Sequence, residues 1–270
     1  MTVDLKFVQK ELRFVLVDFS SFCSKNNIDY FIIAGTALGA VRHQGFIPWD
    51  DDIDIGMARD QYDRFLTIAP LFNKNHLKIL NFQTISCVEH SVTKIAITNI
   101  KFLHSAFKDK YDHSVHVDIF PFDWIPKNRF ISFAIGLRTR LIKEILYIKS
   151  LSKTQSKNFI KNACLALAQF LLLPLKSSFL AKRANKIAKS SNKYKHSEYL
   201  TNWLGAYSFK KERINKNDLG TLSTIQFENI KVKCPENIIN FLIGVYGEDF
   251  MTPKKRSFIN QQEFLLDDEN

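Results

Sequence analysis

Apolar positions near the start of the chain recur at threes and fours, at Leu5, Val8, Leu12, Val15, Phe19 and Phe22, and this spacing predicts an amphipathic helix over residues 5–23. Asn26 and Asn27 break the pattern. Residues 28–34 (Ile-Asp-Tyr-Phe-Ile-Ile-Ala) are short, mostly apolar and rich in β-branched and aromatic side chains, which predicts a buried strand. Gly35 and Thr36 are expected to close it. Residues 37–43 then read as a helix, and 45–48 as a loop into a second strand over 52–57. A helix over 60–69 is expected to stop at Pro70, with strands over 77–82, 92–97 and 116–120. Further on, 227–232 reads as a strand. Pro235 suits the first turn of a helix through Val245, in which Ile238, Ile239, Leu242 and Val245 repeat helically. Helices and strands alternate, so the core is expected to be α/β or α+β.

At 270 residues and 46% hydrophobic content, the chain can bury a core, which excludes a disordered polypeptide. The first eleven residues carry Asp4, Lys6, Lys10 and Glu11 rather than the uninterrupted apolar stretch of a secretory signal, so a cytoplasmic protein is expected. Cys23, Cys87, Cys164 and Cys234 lie far apart and form no Cys-x-x-Cys pair. They read as reduced core residues rather than a zinc site or disulfide framework. His76, His90, His104, His113 and His196 lack metal-ligand spacing and read as surface residues.

The net charge of +11 is unevenly placed: 127–195 holds sixteen Lys/Arg and one acid, Glu144, a local charge of +15 that leaves −4 elsewhere. This divides the chain into a core over 1–126, a basic, mainly helical insert over 127–215, and a return to the core over 216–270. Within the insert, 163–175 is apolar except for Gln169. It is too short for a bilayer, which needs about 20 residues, so it reads either as a buried helix or as one lying in the membrane interface. Lys182, Lys186, Lys189 and Lys193 follow at helical spacing, suited to an anionic surface or equally to a solvated face.

The stretch Trp49-Asp50-Asp51-Asp52-Ile53-Asp54-Ile55-Gly56 is the most informative. On a strand, Asp52 and Asp54 share a face roughly 7 Å apart, while Ile53 and Ile55 face the core. Neighbouring carboxylates repel one another, and a hard divalent cation, Mg2+ or Mn2+, relieves the repulsion. The alternation recurs at His116-Val117-Asp118-Ile119-Phe120, so three carboxylates converge if the two strands are neighbours. Asp50 and Asp51 are expected to flank the site, Asp50 the better placed to help. Bare Asp-x-Asp pairs also occur in solvated turns. Here they follow a strand-Gly-Thr-helix element, whose Gly35 lets a phosphate approach the backbone and whose helix start supplies free N–H groups. Together these features point to chemistry on a nucleoside diphosphate or triphosphate.

Residues 35–43 (Gly-Thr-Ala-Leu-Gly-Ala-Val-Arg-His) and 45–57 (Gly-Phe-Ile-Pro-Trp-Asp-Asp-Asp-Ile-Asp-Ile-Gly-Met) closely resemble the LicD family, bacterial phosphocholine transferases whose relatives include the fukutin group that transfers ribitol phosphate. Further matches follow in order: 117–123 (Val-Asp-Ile-Phe-Pro-Phe-Asp), Phe227-Glu228-Asn229, Tyr246-Gly247 and 250–253 (Phe-Met-Thr-Pro). The resemblance covers about 5–125 and 220–258. It implies a nucleotidyltransferase-fold mixed sheet flanked by helices, an α+β class, with Asp52, Asp54 and Asp118 as catalytic metal ligands. It also implies CDP-choline or another CDP-alcohol as donor, and a glycan hydroxyl, on a lipid-linked carrier in one form, as acceptor. The sequence has Lys94-Ile95-Ala96 where members often carry Lys-x-Arg.

Gly35, Thr36, Arg42, His43, Trp49, Lys94 and Glu228 are the candidate substrate-binding residues. Arg42 and His43 suit donor phosphate, or a helix end whose carbonyls they satisfy. Trp49 and Trp124 suit a choline cation or core packing, and Glu228 suits the donor's positive charge or an exposed turn. Two other functions compete: a nucleotidyltransferase acting on a small acceptor, and a non-catalytic basic module for nucleic acid or membrane. The second leaves the three acids unexplained, so nucleic acid is not expected as a partner. Contact with the cytoplasmic face of the inner membrane through 127–195 is.

Overall fold

The computed structural model describes residues 1–72, 76–81, 92–103, 113–152, 159–195, 197–253 and 263–266. The amphipathic start forms α1 (Leu5–Lys25), capped by the Asp4 carboxylate, which accepts the Phe7 N–H at 2.8 Å. Its buried stripe, Val8, Leu12, Leu16 and Phe19, is one wall of the main core.

The expected strand over 28–34 shrinks to β2 (Phe31–Ile32), because helix α2 (Ala34–His43) begins three residues earlier than its apolar pattern suggests. Gly35 and Thr36 belong to the first turn of α2 rather than closing a strand. Next come β3 (Ile53–Ala58) and α3 (Arg59–Ile68), after which a 3-10 turn over Ala69–Phe72 passes through Pro70. Strands β4 (Leu77–Leu80), β5 (Thr93–Phe102) and β6 (Ser114–Trp124) complete the central sheet. The expected strand over 77–82 runs at Phe82 into residues outside those described, as do Cys87, His90, His104 and His196.

Two short elements at the chain ends, β1 (Thr2–Val3) and β11 (Phe264–Leu266), extend the sheet to the order β1-β11-β5-β6-β3-β2. Strand β3 runs parallel to β6 and antiparallel to β2, so the sheet is mixed and flanked by helices, as an α+β nucleotidyltransferase-like fold requires. Ile53, Ile55, Val117 and Ile119 are fully buried in the cluster that α1 closes. The alternate positions on the same two strands face the other way.

The basic stretch is helical, in α4 (Arg129–Ser150), α5 (Phe159–Leu171) and α6 (Ser177–Lys189). The chain then returns to the sheet through β7 (Tyr199–Thr201), which pairs with the end of β6, and β8 (Arg213–Asn215), which pairs with β7. Beyond α7 (Lys216–Leu219), the expected strand over 227–232 is a hairpin, β9 (Ser223–Phe227) and β10 (Ile230–Cys234). It turns at Glu228, whose φ of +53° is left-handed and ends the first strand. The last helix, α8 (Ile238–Tyr246), is capped by Asn237, leaving Pro235 ahead of its first turn. Cys23 and Cys234 are buried core residues as expected, but Cys164 is exposed on α5.

One buried ion pair ties these layers together. Arg59, at the start of α3, grips Asp123 near the end of β6 with two bonds, Nε to Oδ1 at 2.7 Å and Nη2 to Oδ2 at 2.6 Å. Asp123 is fully buried and Arg59 nearly so. The same pair reaches the insert, since Arg59 donates to Asn185 of α6 and Asp123 accepts from Asn192. Arg59→Leu should therefore destabilise the fold by about 3–5 kcal/mol in urea unfolding, because it strands a buried carboxylate. The double variant Arg59→Leu/Asp123→Leu should lose much less than the sum of the two single changes.

Candidate active site

Parallel pairing of β3 with β6 puts Asp54 directly opposite Asp118. Both carboxylates, with those of Asp50 and Asp52, line a cavity of about 500 Å³ on the face of the sheet away from α1. The backbone holds Asp54 in place from both sides: its N–H donates to Thr36 Oγ1 at 2.8 Å and its carbonyl accepts the Ile33 N–H at 3.1 Å. Thr36 is buried and supports the acid; it does not line the cavity. The loop before β3 is fastened by Gln9 of α1, whose side-chain amide donates to the Asp50 carbonyl at 2.8 Å.

Gly35 lines the cavity, and its missing side chain is needed there: a Cβ would lie 2.6 Å from Asp50 Oδ2. Beside it Ala34 adopts a left-handed φ of +45°, a strained conformation of the kind that clusters at functional sites. Gly39 is required for a different reason, since a Cβ would lie 2.4 Å from the Gly45 carbonyl. The close turn after α2 depends on it.

The electrostatics follow from burying acids and then from crowding them together. Burial, then Asp50, Asp51 and Asp118, push the Asp52 carboxyl up to about 8, with Lys94 opposing. Asp54 is raised well above the carboxylate range by burial first, then by Asp52, Asp118 and Asp50. Such a donor set fits a hard divalent cation: it is all oxygen, strongly anionic when ionised, and destabilised without a counter-charge. Carboxylate oxygens of Asp50, Asp51 and Asp52 lie within 4.8 Å of one another, although Asp51 does not line the cavity. Asp50, expected to flank the site, lines the cavity with the three acids. Lys94 pairs with Asp118 across β5 and β6; its ammonium lies 2.8 Å from His116 Nε2 and 3.7 Å from Asp118 Oδ1. It steadies Asp118 from outside the cavity rather than lining it.

The remaining candidates separate. Arg42 and Trp49 line the cavity, and Arg42 also donates to the Phe250 carbonyl at 2.9 Å. His43 does not line it; its Nδ1 faces Arg42 Nε at 3.4 Å, and burial and then Arg42 lower its pKa. Glu228 is not at the cavity either. Its carboxylate accepts the Phe46 N–H at 3.2 Å and its own N–H donates to the Gln44 carbonyl, so it locks the loop after α2 to the β9–β10 turn. Trp124 packs in a satellite cluster with Leu200 and Phe241.

Two walls of the cavity are not evident from the sequence. Loop 202–212, between β7 and β8, contributes Asn202, Tyr207 and Glu212, and α8 contributes Phe241 and Tyr246. Burial pushes the Glu212 carboxyl up to about 7, opposed by the Tyr207 backbone N–H and by Lys143. Lys143 itself reaches from α4 to donate to the Gly205 carbonyl. No periodic pattern marks the loop in the sequence. Tyr246 did carry a signal, in the Tyr-Gly match.

Residues 27–159 match the family model described as LicD/FKTN/FKRP, nucleotidyltransferase domain. Residues 27–159 form a LicD-family domain. Over 138 residues it is 33% identical to the lipopolysaccharide cholinephosphotransferase LicD of Haemophilus influenzae, an alignment covering 48% of each protein. It is 36% identical over 115 residues to an uncharacterised protein of Rickettsia typhi, covering 42% of this chain and 35% of that one. A Rickettsia prowazekii relative is 31% identical over 109 residues, covering 38% and 41%. The chain therefore spans about half the length, or less, of the curated relatives it matches. The LicD-family match takes in α2, β3 and β6, which carry Gly35, Asp54 and Asp118.

The raised acids make metal-free stability depend on pH. An unfolded Asp52 ionises near 4 and the folded one near 8, so between those values the folded chain holds the extra proton and stability falls as pH rises. The melting temperature of metal-free protein should drop from pH 4 towards pH 8, and Asp54→Asn should flatten the drop and raise the value at pH 8. Differential scanning calorimetry across that range checks both.

Proposed function

We propose that this chain transfers phosphocholine, or a similar phospho-alcohol, from a CDP-linked donor to a hydroxyl of a cell-surface glycan, releasing CMP. The reaction is placed at the cytoplasmic face of the membrane, with a Mg2+ or Mn2+ ion as cofactor. One observation carries the reading: a single cavity combines four aspartates at the sheet with an aromatic and acidic wall formed by Trp49, Phe120, Tyr207, Tyr246 and Glu212. The first group suits a metal-bound diphosphate and the second a quaternary ammonium, which binds aromatic faces. The name of the Haemophilus influenzae relative, a lipopolysaccharide cholinephosphotransferase, supports the same alcohol and acceptor class.

Asp52, Asp54 and Asp118 would hold the metal, with Asp50 beside them. When bound, the ion would neutralise charge on the attacking and leaving oxygens. The chain's own residues position the reactants. The open backbone at Gly35 and the first turn of α2 receive the diphosphate, and Arg42 at the far end of α2 adds positive charge. The acceptor hydroxyl oxygen attacks the phosphorus that bears choline, and the bond from that phosphorus to the oxygen of CMP breaks. Asp118 accepts the hydroxyl proton. Glu212, when ionised, balances the trimethylammonium against the Tyr207 and Tyr246 rings.

A second reading, nucleotide transfer to a small acceptor, draws on the description of the matching domain as a nucleotidyltransferase. Incubating the protein and Mg2+ with CDP-choline or ATP and a glycan acceptor separates the two. CMP release from CDP-choline with labelled choline on the glycan supports phosphocholine transfer, and nucleotide incorporation from ATP alone overturns it. Asp52→Asn and Asp54→Asn should each lower turnover by more than about a hundredfold, the range for residues that merely orient metal ligands. Both should stay folded, since removing a buried like charge relieves repulsion. Glu212→Gln should raise KM for CDP-choline and leave KM for CDP-glycerol, which lacks the cation, nearly unchanged in steady-state assays.

A further inference from the structure

The helices of the insert wear their apolar residues outward. On α4, Phe130, Phe133, Leu137 and Leu141 follow one another at threes and fours and are 86, 62, 45 and 54% exposed, while Ser132, Ile135, Thr139 and Leu146 face inward. The next helix is inverted. Gln169 is the one buried residue of α5, its amide donating to the Ile148 and Leu151 carbonyls at the end of α4. Leu167, Phe170 and Leu171 on the same helix stand in solvent, as do Leu173 and Phe179 beyond it. Of the two alternatives for 163–175, a buried helix is therefore excluded. So many large apolar side chains in solvent on neighbouring helices call for something that covers them.

The surrounding charge says what that is. Arg138, Lys176, Lys182, Arg183 and Lys186 are exposed on or beside the same helices, and Glu144 is the one acid in 127–195, a stretch of +15. A second copy would bring +15 against +15. No helix among the described residues is long and apolar enough to cross a membrane. Apolar side chains bordered by Lys and Arg, on helices that do not span, are the composition of a segment lying in the bilayer interface. We infer that α4–α6 dock this chain on an anionic lipid surface, the Phe and Leu side chains of α4 and α5 entering the headgroup boundary and the basic residues facing lipid phosphates.

The stripe expected from the sequence supplies only part of this surface, because Lys189 turns to Asp63 of the core at 2.8 Å. Docking also bears on the cavity. The inner face of α4 carries Gly136, where a Cβ would lie 2.7 Å from the Phe209 ring, and Lys143, bonded to Gly205; both hold the loop that forms the cavity wall. The helix that meets the lipid is thus the one that supports the wall.

Cys164, exposed on α5, offers a direct probe: an environment-sensitive fluorophore is attached there in a Cys87→Ser background, Cys23 and Cys234 being buried. The labelled protein is mixed with phosphatidylcholine vesicles with and without phosphatidylglycerol, then sedimented. Binding and a blue shift are expected on the anionic vesicles alone, both falling as salt rises. Lys182→Glu/Lys186→Glu should weaken binding by about tenfold or more. Leu167→Glu/Phe170→Glu should abolish the blue shift, with unchanged thermal melting away from vesicles as the control for folding. Equal binding to neutral vesicles, sedimentation without a blue shift, or indifference to both variants overturns the inference. So does a blue shift that grows with protein concentration in the absence of lipid, which would mean that a second copy covers the face.

Discussion

Repulsion between aspartates held on adjacent parallel strands is the constraint on which the site depends. Pairing of β3 with β6 sets Asp54 against Asp118, and nothing in that pairing lets the carboxylates separate, because Ile53, Ile55, Val117 and Ile119 on the reverse face are locked in the core. A shift of one residue would turn the acids inward and the aliphatic side chains outward. The core therefore enforces the like-charge contact, which adds to burial in raising the Asp52 and Asp54 carboxyls.

The elements around that pair act as braces. Thr36 holds the Asp54 backbone, Gln9 holds the loop carrying Asp50, and Lys94 steadies Asp118 from behind. Glu228 and Gly39 fix the turn that follows α2. Several of these residues looked like substrate contacts in the sequence. Their hydrogen bonds assign them to support, which is consistent with a site whose active groups sit within about half an ångström of a working geometry only when a second layer holds them.

The insert is bonded to this core through its second half. Arg59 donates to Asn185, Asn192 donates to Asp123, and β7 continues the edge of β6. Its outward surface obeys a different rule, apolar where water would be expected. The contrast between a tightly bonded inner face and an exposed Phe and Leu face on α4 links the basic stretch to the cavity through one helix.

The alternation around Asp52, Asp54 and Asp118 made the shared face of the acids legible in the amino-acid order alone, because side chains on a strand point by parity. Helical periodicity likewise located α1 and α8, and the length of the Gly35–Met57 match pointed to the family. Tertiary structure decided everything that depends on what lies across a gap in sequence. That β6 is the neighbour of β3, and that Glu212 and Tyr207 close the far wall from an aperiodic loop, are facts of tertiary structure that local pattern does not encode. The burial of Gln169 with its apolar neighbours exposed is the clearest case. Hydropathy along the chain marks which residues avoid water, but only packing determines whether protein or another phase is there to receive them.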